Sequence, residues 1–149
     1  MNKGGVSPMS NKILTTDGWE KRIQDKLGVD PVYLPNEAIN QPDIITVAEA
    51  NIIAQLPDYS ILEDNARVYL EAAVVSECSR LICPSLPARL PAKENGPHES
   101  HELSVDWTKK QKDFEVERDE YIGKVIELAF PEKLTSSLIH FTITKPRRW

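Results

Sequence analysis

The residues that could do chemistry in this chain fall in three short stretches. "HESH" sets His98 and His101 three positions apart beside Glu99 and Glu102, so that on a turn both imidazoles could reach one metal ion. A closed site wants four ligands on a rigid support, and this stretch belongs to a proline-rich loop, so no metal is expected. Cys78 would need an adjacent base to act as a thiolate nucleophile, and the sequence supplies none. It reads as a small buried hydrophobe. Cys78 and Cys83 on one helix would stand roughly 8.6 Å apart, too far for a disulfide, which predicts reduced thiols of an intracellular protein. His140 falls on the polar side of "SLIHFTIT", where exposure is the default. The concentrated basic spot is "KPRRW", with Lys145, Arg147, Arg148 and Trp149. These could touch phosphate and stack on a base, a weak and salt-sensitive contact. They could equally anchor on a protein partner's carboxylates, or form a solvated chain end.

Beyond these stretches the chemistry is thin. No P-loop, dinucleotide fingerprint or nucleophile elbow occurs, and six glycines leave little material for phosphate cradles. No catalytic residue, enzyme activity or cofactor is expected. A formal charge of −5 opposes a body that grips nucleic acid through a broad positive face. The 149 residues suit one domain, yet only 40% are apolar and 28% are charged, so part of the chain should be extended or complete its burial on a partner. The opening "MNKGGVSPMSNKILTTDG" lacks a signal-peptide core, and no window approaches a membrane span, which predicts a soluble, unsecreted protein.

The elements that must position these groups are mostly helical. Residues 1–16 lack periodicity and read as a flexible arm. In "DGWEKRIQDKLG" a capping box of Asp17 and Glu20, a face of Trp19, Ile23 and Leu27, and a stop at Gly28 predict a short helix. From Val29 to Ile45, Pro31, Pro35 and Pro42 predict an extended connector. "TVAEANIIAQLP" predicts a second short helix, capped by Thr46 and Glu49 with Val47, Ala50, Ile53 and Ala54 inward. "YSILEDNARVYLEAAVVSECSRLICP" predicts a long helix of roughly 24 residues, with Ile61, Leu62, Ala66, Val68, Tyr69, Ala72, Ala73, Val75 and Ile82 in its buried stripe.

Pro84, Pro87, Pro91 and Pro97 then predict a projecting loop over about 84–104. "DWTKKQKDFEVERDEYIGKVIELAF" predicts a second long helix, capped by Asp106, with a narrow seam of Trp107, Phe114, Tyr121 and Leu128 widened by Ile122, Val125 and Ala129. Gly123 inside it marks a close contact or a bend. After Pro131, alternation of Ile139, Phe141 and Ile143 with His140, Thr142 and Thr144 predicts a strand with one apolar side and no second strand upstream to pair with. The fold class expected is mainly α: a small bundle with two long antiparallel helices over 17–130, plus a C-terminal β-strand and basic tail over 131–149.

This arrangement resembles the head-tail connector, or adaptor, proteins of tailed bacteriophages. The resemblance covers residues 44–130 and rests on "TVAEANIIAQLP", "YSILEDNARVYLEAAVVSECSRLIC", "PSLPARLP" and "DWTKKQKDFEVERDEYIGKVIELAF". It implies a structural virion protein, made in the host cytoplasm and placed at the capsid–tail junction. Its copies, commonly twelve, would form a ring under the portal protein, extend the DNA channel and offer a platform to the tail or a further neck protein. DNA would pass without sequence-specific binding, and no membrane is involved. Ile139, Phe141 and Ile143 would then add a strand to a neighbouring subunit or portal sheet, with Lys145, Arg147, Arg148 and Trp149 anchoring the tail. The alternative is a small helical DNA-binding or regulatory protein, which should carry a recognition helix and bind DNA with steep salt dependence.

Overall fold

The computed structural model describes residues 11–91 and 105–132, and over these the chain is mainly helical with no strand. Helix α1 spans Trp19–Leu27, α2 Asn36–Ile39, α3 Val47–Gln55, α4 Asp64–Ile82, α5 Leu86–Arg89 and α6 Trp107–Ala129. The expected C-terminal strand and most of the expected loop, residues 92–104, lie outside the described residues.

The organising pair is α4 against α6. Tyr69 meets Tyr121 with ring centroids 6.0 Å apart, while Gln111 donates to the Arg80 carbonyl at 3.2 Å, so the two helices run antiparallel. Helices α1 and α3 also pack on α4. Every residue from Ala73 to Ser79 is therefore buried, which a helix lying on a single surface cannot achieve.

Helix α1 forms as its sequence predicts, with Trp19, Ile23 and Leu27 inward. Gly28 ends it at φ 71°, donating to the Gln24 and Asp25 carbonyls, while Val29 N–H reaches Gln24 O at 3.1 Å and its side chain is buried. The capping box of Asp17 is not made: Gly18 occupies the cap in a left-handed conformation, with no side-chain bond. Asp106 does cap α6, accepting from Lys109 N–H at 3.0 Å.

Several expectations are corrected by tertiary packing. The 29–45 connector is not extended. Pro35 precedes α2, and Pro42 opens a π-turn, Pro42–Thr46, that runs directly into α3. Proline in a first turn gives up no bonded amide, so it starts these pieces rather than forbidding them. The same reasoning corrects the loop expected over 84–104: Pro84 sits in a 3-10 turn, Cys83–Ser85, and Pro87 in the first turn of α5, whose Leu86 is fully buried.

In α3 the expected face is rotated. Ala48, Glu49 and Ile52, flanked by Ile45 and Leu56, are buried, while Val47 and Ala50 are exposed. The segment is apolar nearly all round, so its period admits two phases, and packing on α4 selects one. Helix α4 has 19 residues rather than 24, because a 3-10 turn at Tyr59–Ile61 and extended backbone at Leu62 and Glu63 precede it. Ile61 and Val68 point outward, and Leu70, Val74 and Cys78 take their place in the core. In α6 the seam is Phe114, Ile122 and Val125, with Leu128 half exposed. A side chain at Gly123 would meet nothing within 4 Å, so no close contact explains that glycine.

Candidate functional site

Two glutamates hold the interior together: Glu77, which sequence pattern did not single out, and Glu49, which it read only as a local helix cap. Glu77 on α4 is fully buried. Its Oε1 accepts from Arg80 Nε and Arg118 Nη1, both at 2.8 Å, and its Oε2 accepts from Arg80 Nη2 and Asn51 Nδ2, both at 2.7 Å. One carboxylate thus ties α3, α4 and α6 at a single point. Burial by itself would raise its pKa, but the bonds from Arg80, Asn51 and Arg118 outweigh that, and the carboxyl lies below its ordinary value. Arg80 is shifted up by its bonds to Glu77. Arg118 is also shifted up, because bonds to Asp119 and Glu77 overcome the burial that opposes its charge.

Glu49 on α3 does different work. It is buried, and instead of capping its own helix it accepts the backbone N–H of Lys12 at 2.8 Å on one oxygen and those of Ile13 and Leu14 at 2.8 and 2.9 Å on the other. Arg67 Nη2 donates to Ile13 O at 2.6 Å, and Asn11 Nδ2 donates to Leu14 O at 2.7 Å. The converging amides form a nest that suits an anion, and the carboxylate fills it. Ile13 and Leu14 are in the core, so residues 11–16 are not part of a free arm as the 1–16 reading expected; residues 1–10 lie outside the described residues.

Around these centres, charged pairs fasten the helices at the surface. Arg22 meets Glu71 at 2.9 Å, Lys26 meets Glu117 at 2.8 Å, and Ser76 donates to the same Glu117 oxygen at 2.8 Å. Buried Gln24 donates to Leu34 O at 2.8 Å and holds the turn after α1.

The chemistry this permits is structural. A carboxylate whose oxygens are each taken by two donors, and whose pKa is depressed, is a clamp rather than a general base at neutral pH. Both thiols are free and buried. Burial, with the charges of Glu49 and Glu77, pushes Cys78 well above its ordinary value, and burial pushes Cys83 up to about 11 against a small opposing pull from Lys110. Both are protonated at neutral pH and poorly nucleophilic. Among the described residues no group of three or more His, Cys, Asp or Glu is placed to hold a metal. No helix among them is long and apolar enough to cross a membrane.

The residues singled out from sequence are mostly not brought together here. His98, Glu99, His101, Glu102 and His140 lie outside the described residues, as do Ile139, Phe141, Ile143, Lys145, Arg147, Arg148 and Trp149. A signal for Glu77 did exist. It interrupts the apolar run of α4 three residues before Arg80, a spacing at which the two side chains meet on a helix. Glu49 carried no comparable signal, because its partners are main-chain amides 35 to 37 residues away.

Several large apolar side chains are exposed, Val32 most of all at 79%. Ile61, Val68, Val116 and Leu128 are 67%, 58%, 48% and 50% exposed. The Tyr69–Tyr121 pairing sets Ile61 and Leu128 at the same end of the α4–α6 hairpin. No protein-family model, curated protein or solved structure matches the chain.

Proposed function

We propose that the chain is a structural unit of a head-tail adaptor ring in a tailed bacteriophage. Its copies sit between portal and tail, extend the DNA channel and give a docking platform. The observation that carries this reading is the set of exposed apolar side chains, Val68 on α4, Val116 and Leu128 on α6, and Ile61 in the turn before α4. A heterologous contact repeated around a ring covers such surface on every copy. The buried carboxylates of Glu77 and Glu49 tie the helices to one another and to residues 12–14, which suits a building block. A net charge of −5 lets duplex DNA pass a lumen without adsorbing.

In this proposal Ile139, Phe141 and Ile143 add a strand to a neighbouring subunit or portal sheet, and Lys145, Arg147, Arg148 and Trp149 anchor the extension. The test removes residues 136–149 and measures binding of the truncated chain to purified portal, with native mass of chain and portal alone and mixed. The full chain should form a portal-bound ring and the truncated chain should lose it. Undiminished binding by the truncated chain defeats the assignment of the docking segment, and failure of the full chain to bind any portal or self-assemble defeats the ring.

A further inference from the structure

We propose that the chain's own C-terminal residues 138–149 dock on the end of the α4–α6 hairpin from which they leave, and cover it until a partner displaces them. That end presents apolar surface, with Ile61, Val68 and Leu128 exposed near the half-buried pair Tyr69 and Tyr121. Leu128 stands two turns beyond Tyr121, so both lie on one side of α6. Acids flank this surface. Asp58, Glu63 and Asp64, before and at the start of α4, and Glu127, near the end of α6, are all exposed. None of the four makes an ion pair or a side-chain hydrogen bond among the described residues. The cations on this stretch of the hairpin are Lys124 and Arg67, and Arg67 is already bound to Glu71 and the Ile13 carbonyl.

The segment that follows has the matching composition. Residues 133–149 carry Lys133, Lys145, Arg147 and Arg148 and no acid, in a chain whose formal charge is −5. Leu138, Ile139, Phe141 and Ile143 come just before the clustered cations, so apolar residues meet apolar surface while the cations reach the acids. The point of departure favours this site. Glu132, the last described residue, follows Leu128 by four positions, and residues 133–138 extend by up to about 20 Å, enough to turn back over Leu128 and Val68. Such a tether holds the segment at an effective concentration on the order of 1 mM, so a contact with an intrinsic Kd of about 0.1 mM is closed about ten to one. A second copy at micromolar concentration cannot compete with that. The proposal concerns the free chain and needs no portal, so its fate is separate from that of the ring reading, in which the same residues pass to a neighbour.

The test places a nitroxide on the full chain at Thr144→Cys. Cys78 and Cys83 are buried, so the new thiol takes the label. In an isotope-labelled chain at micromolar concentration, amides around Val68, Tyr121 and Leu128 should be broadened relative to the reduced nitroxide, and those around Lys109 at the far end of α6 should not. A mixture of nitroxide-bearing, isotope-free chains with isotope-labelled chains lacking the nitroxide should show no such broadening. Two pairs of exposed substitutions leave the core intact: Val68→Ser with Leu128→Ser, and Glu63→Lys with Glu127→Lys. Each pair should lower the closed-to-open ratio by about tenfold, read as recovered intensity, and relief by either supports the docking face. The proposal is overturned by absence of selective broadening, by broadening as strong in the mixture, or by broadening that neither pair relieves.

Discussion

Replacing Glu77 with alanine should loosen the molecule more than any other single change to a polar side chain. The substitution leaves the Arg80 and Arg118 guanidiniums and the Asn51 amide facing an interior without their shared acceptor, since all four short bonds end on that one carboxylate. Removing one partner of a buried ion pair costs about 3–5 kcal/mol, mostly from the charge left behind. A domain of this size has about 5–15 kcal/mol in total, so about a fifth or more of its stability goes. With a urea slope of about 2 kcal/mol per molar, the unfolding midpoint falls by about 2 M. Far-ultraviolet circular dichroism against urea reads this directly. A cycle adding Arg118→Ala to Glu77→Ala should show a coupling of about 1–3 kcal/mol, because the two side chains share a direct 2.8 Å bond. A midpoint within about 0.3 M of the native protein would refute the clamp, since a shift that small fits a solvated carboxylate.

Acid should act through the same residue. The folded-state pKa of Glu77 is depressed below its ordinary 4.5, so its contribution is intact above that value and is lost as pH falls through the lower, folded one. The native protein should therefore lose stability as pH falls below about 4.5, and Glu77→Gln, weaker at neutral pH, should show a flatter decline there in urea midpoints. Two glycines should respond oppositely. Gly28→Ala forces a side chain into φ 71° and should cost about 1 kcal/mol, whereas Gly123→Ala enters open space inside α6 and should add up to about 1 kcal/mol, both read by thermal melting. Neither thiol should react with a chromogenic disulfide near neutral pH until the protein is unfolded, when both should. Rapid labelling of the native protein would show that Cys78 or Cys83 is reachable as a thiolate.

Local codes were legible wherever a few neighbouring residues settle the outcome. Trp19, Ile23 and Leu27 with the stop at Gly28, and the Asp106 cap on α6, concern one turn of backbone and its own side chains, and each forms as its residues dictate. Mainly helical content was legible for the same reason: long apolar periods near 3.6 residues admit no other regular element. Prolines misled because their effect depends on position, blocking a helix interior but starting a first turn, and only the packed chain fixes which applies at Pro35, Pro42 and Pro87.

What tertiary structure alone decided is the phase of the helices and the partners of the two buried acids. Helix α3 carries apolar residues on nearly every side, and contact with α4 determined that Ala48 and Ile52 go in while Val47 stays out. The Glu49 spacing that suggested a local cap was overridden by three amides 35 to 37 residues away, which had to find an acceptor once Ile13 and Leu14 were drawn into the core. Sequence by itself gives periods, caps and charge. The depth at which a charge lies, and which distant donor meets it there, arises only when the helices have closed around it.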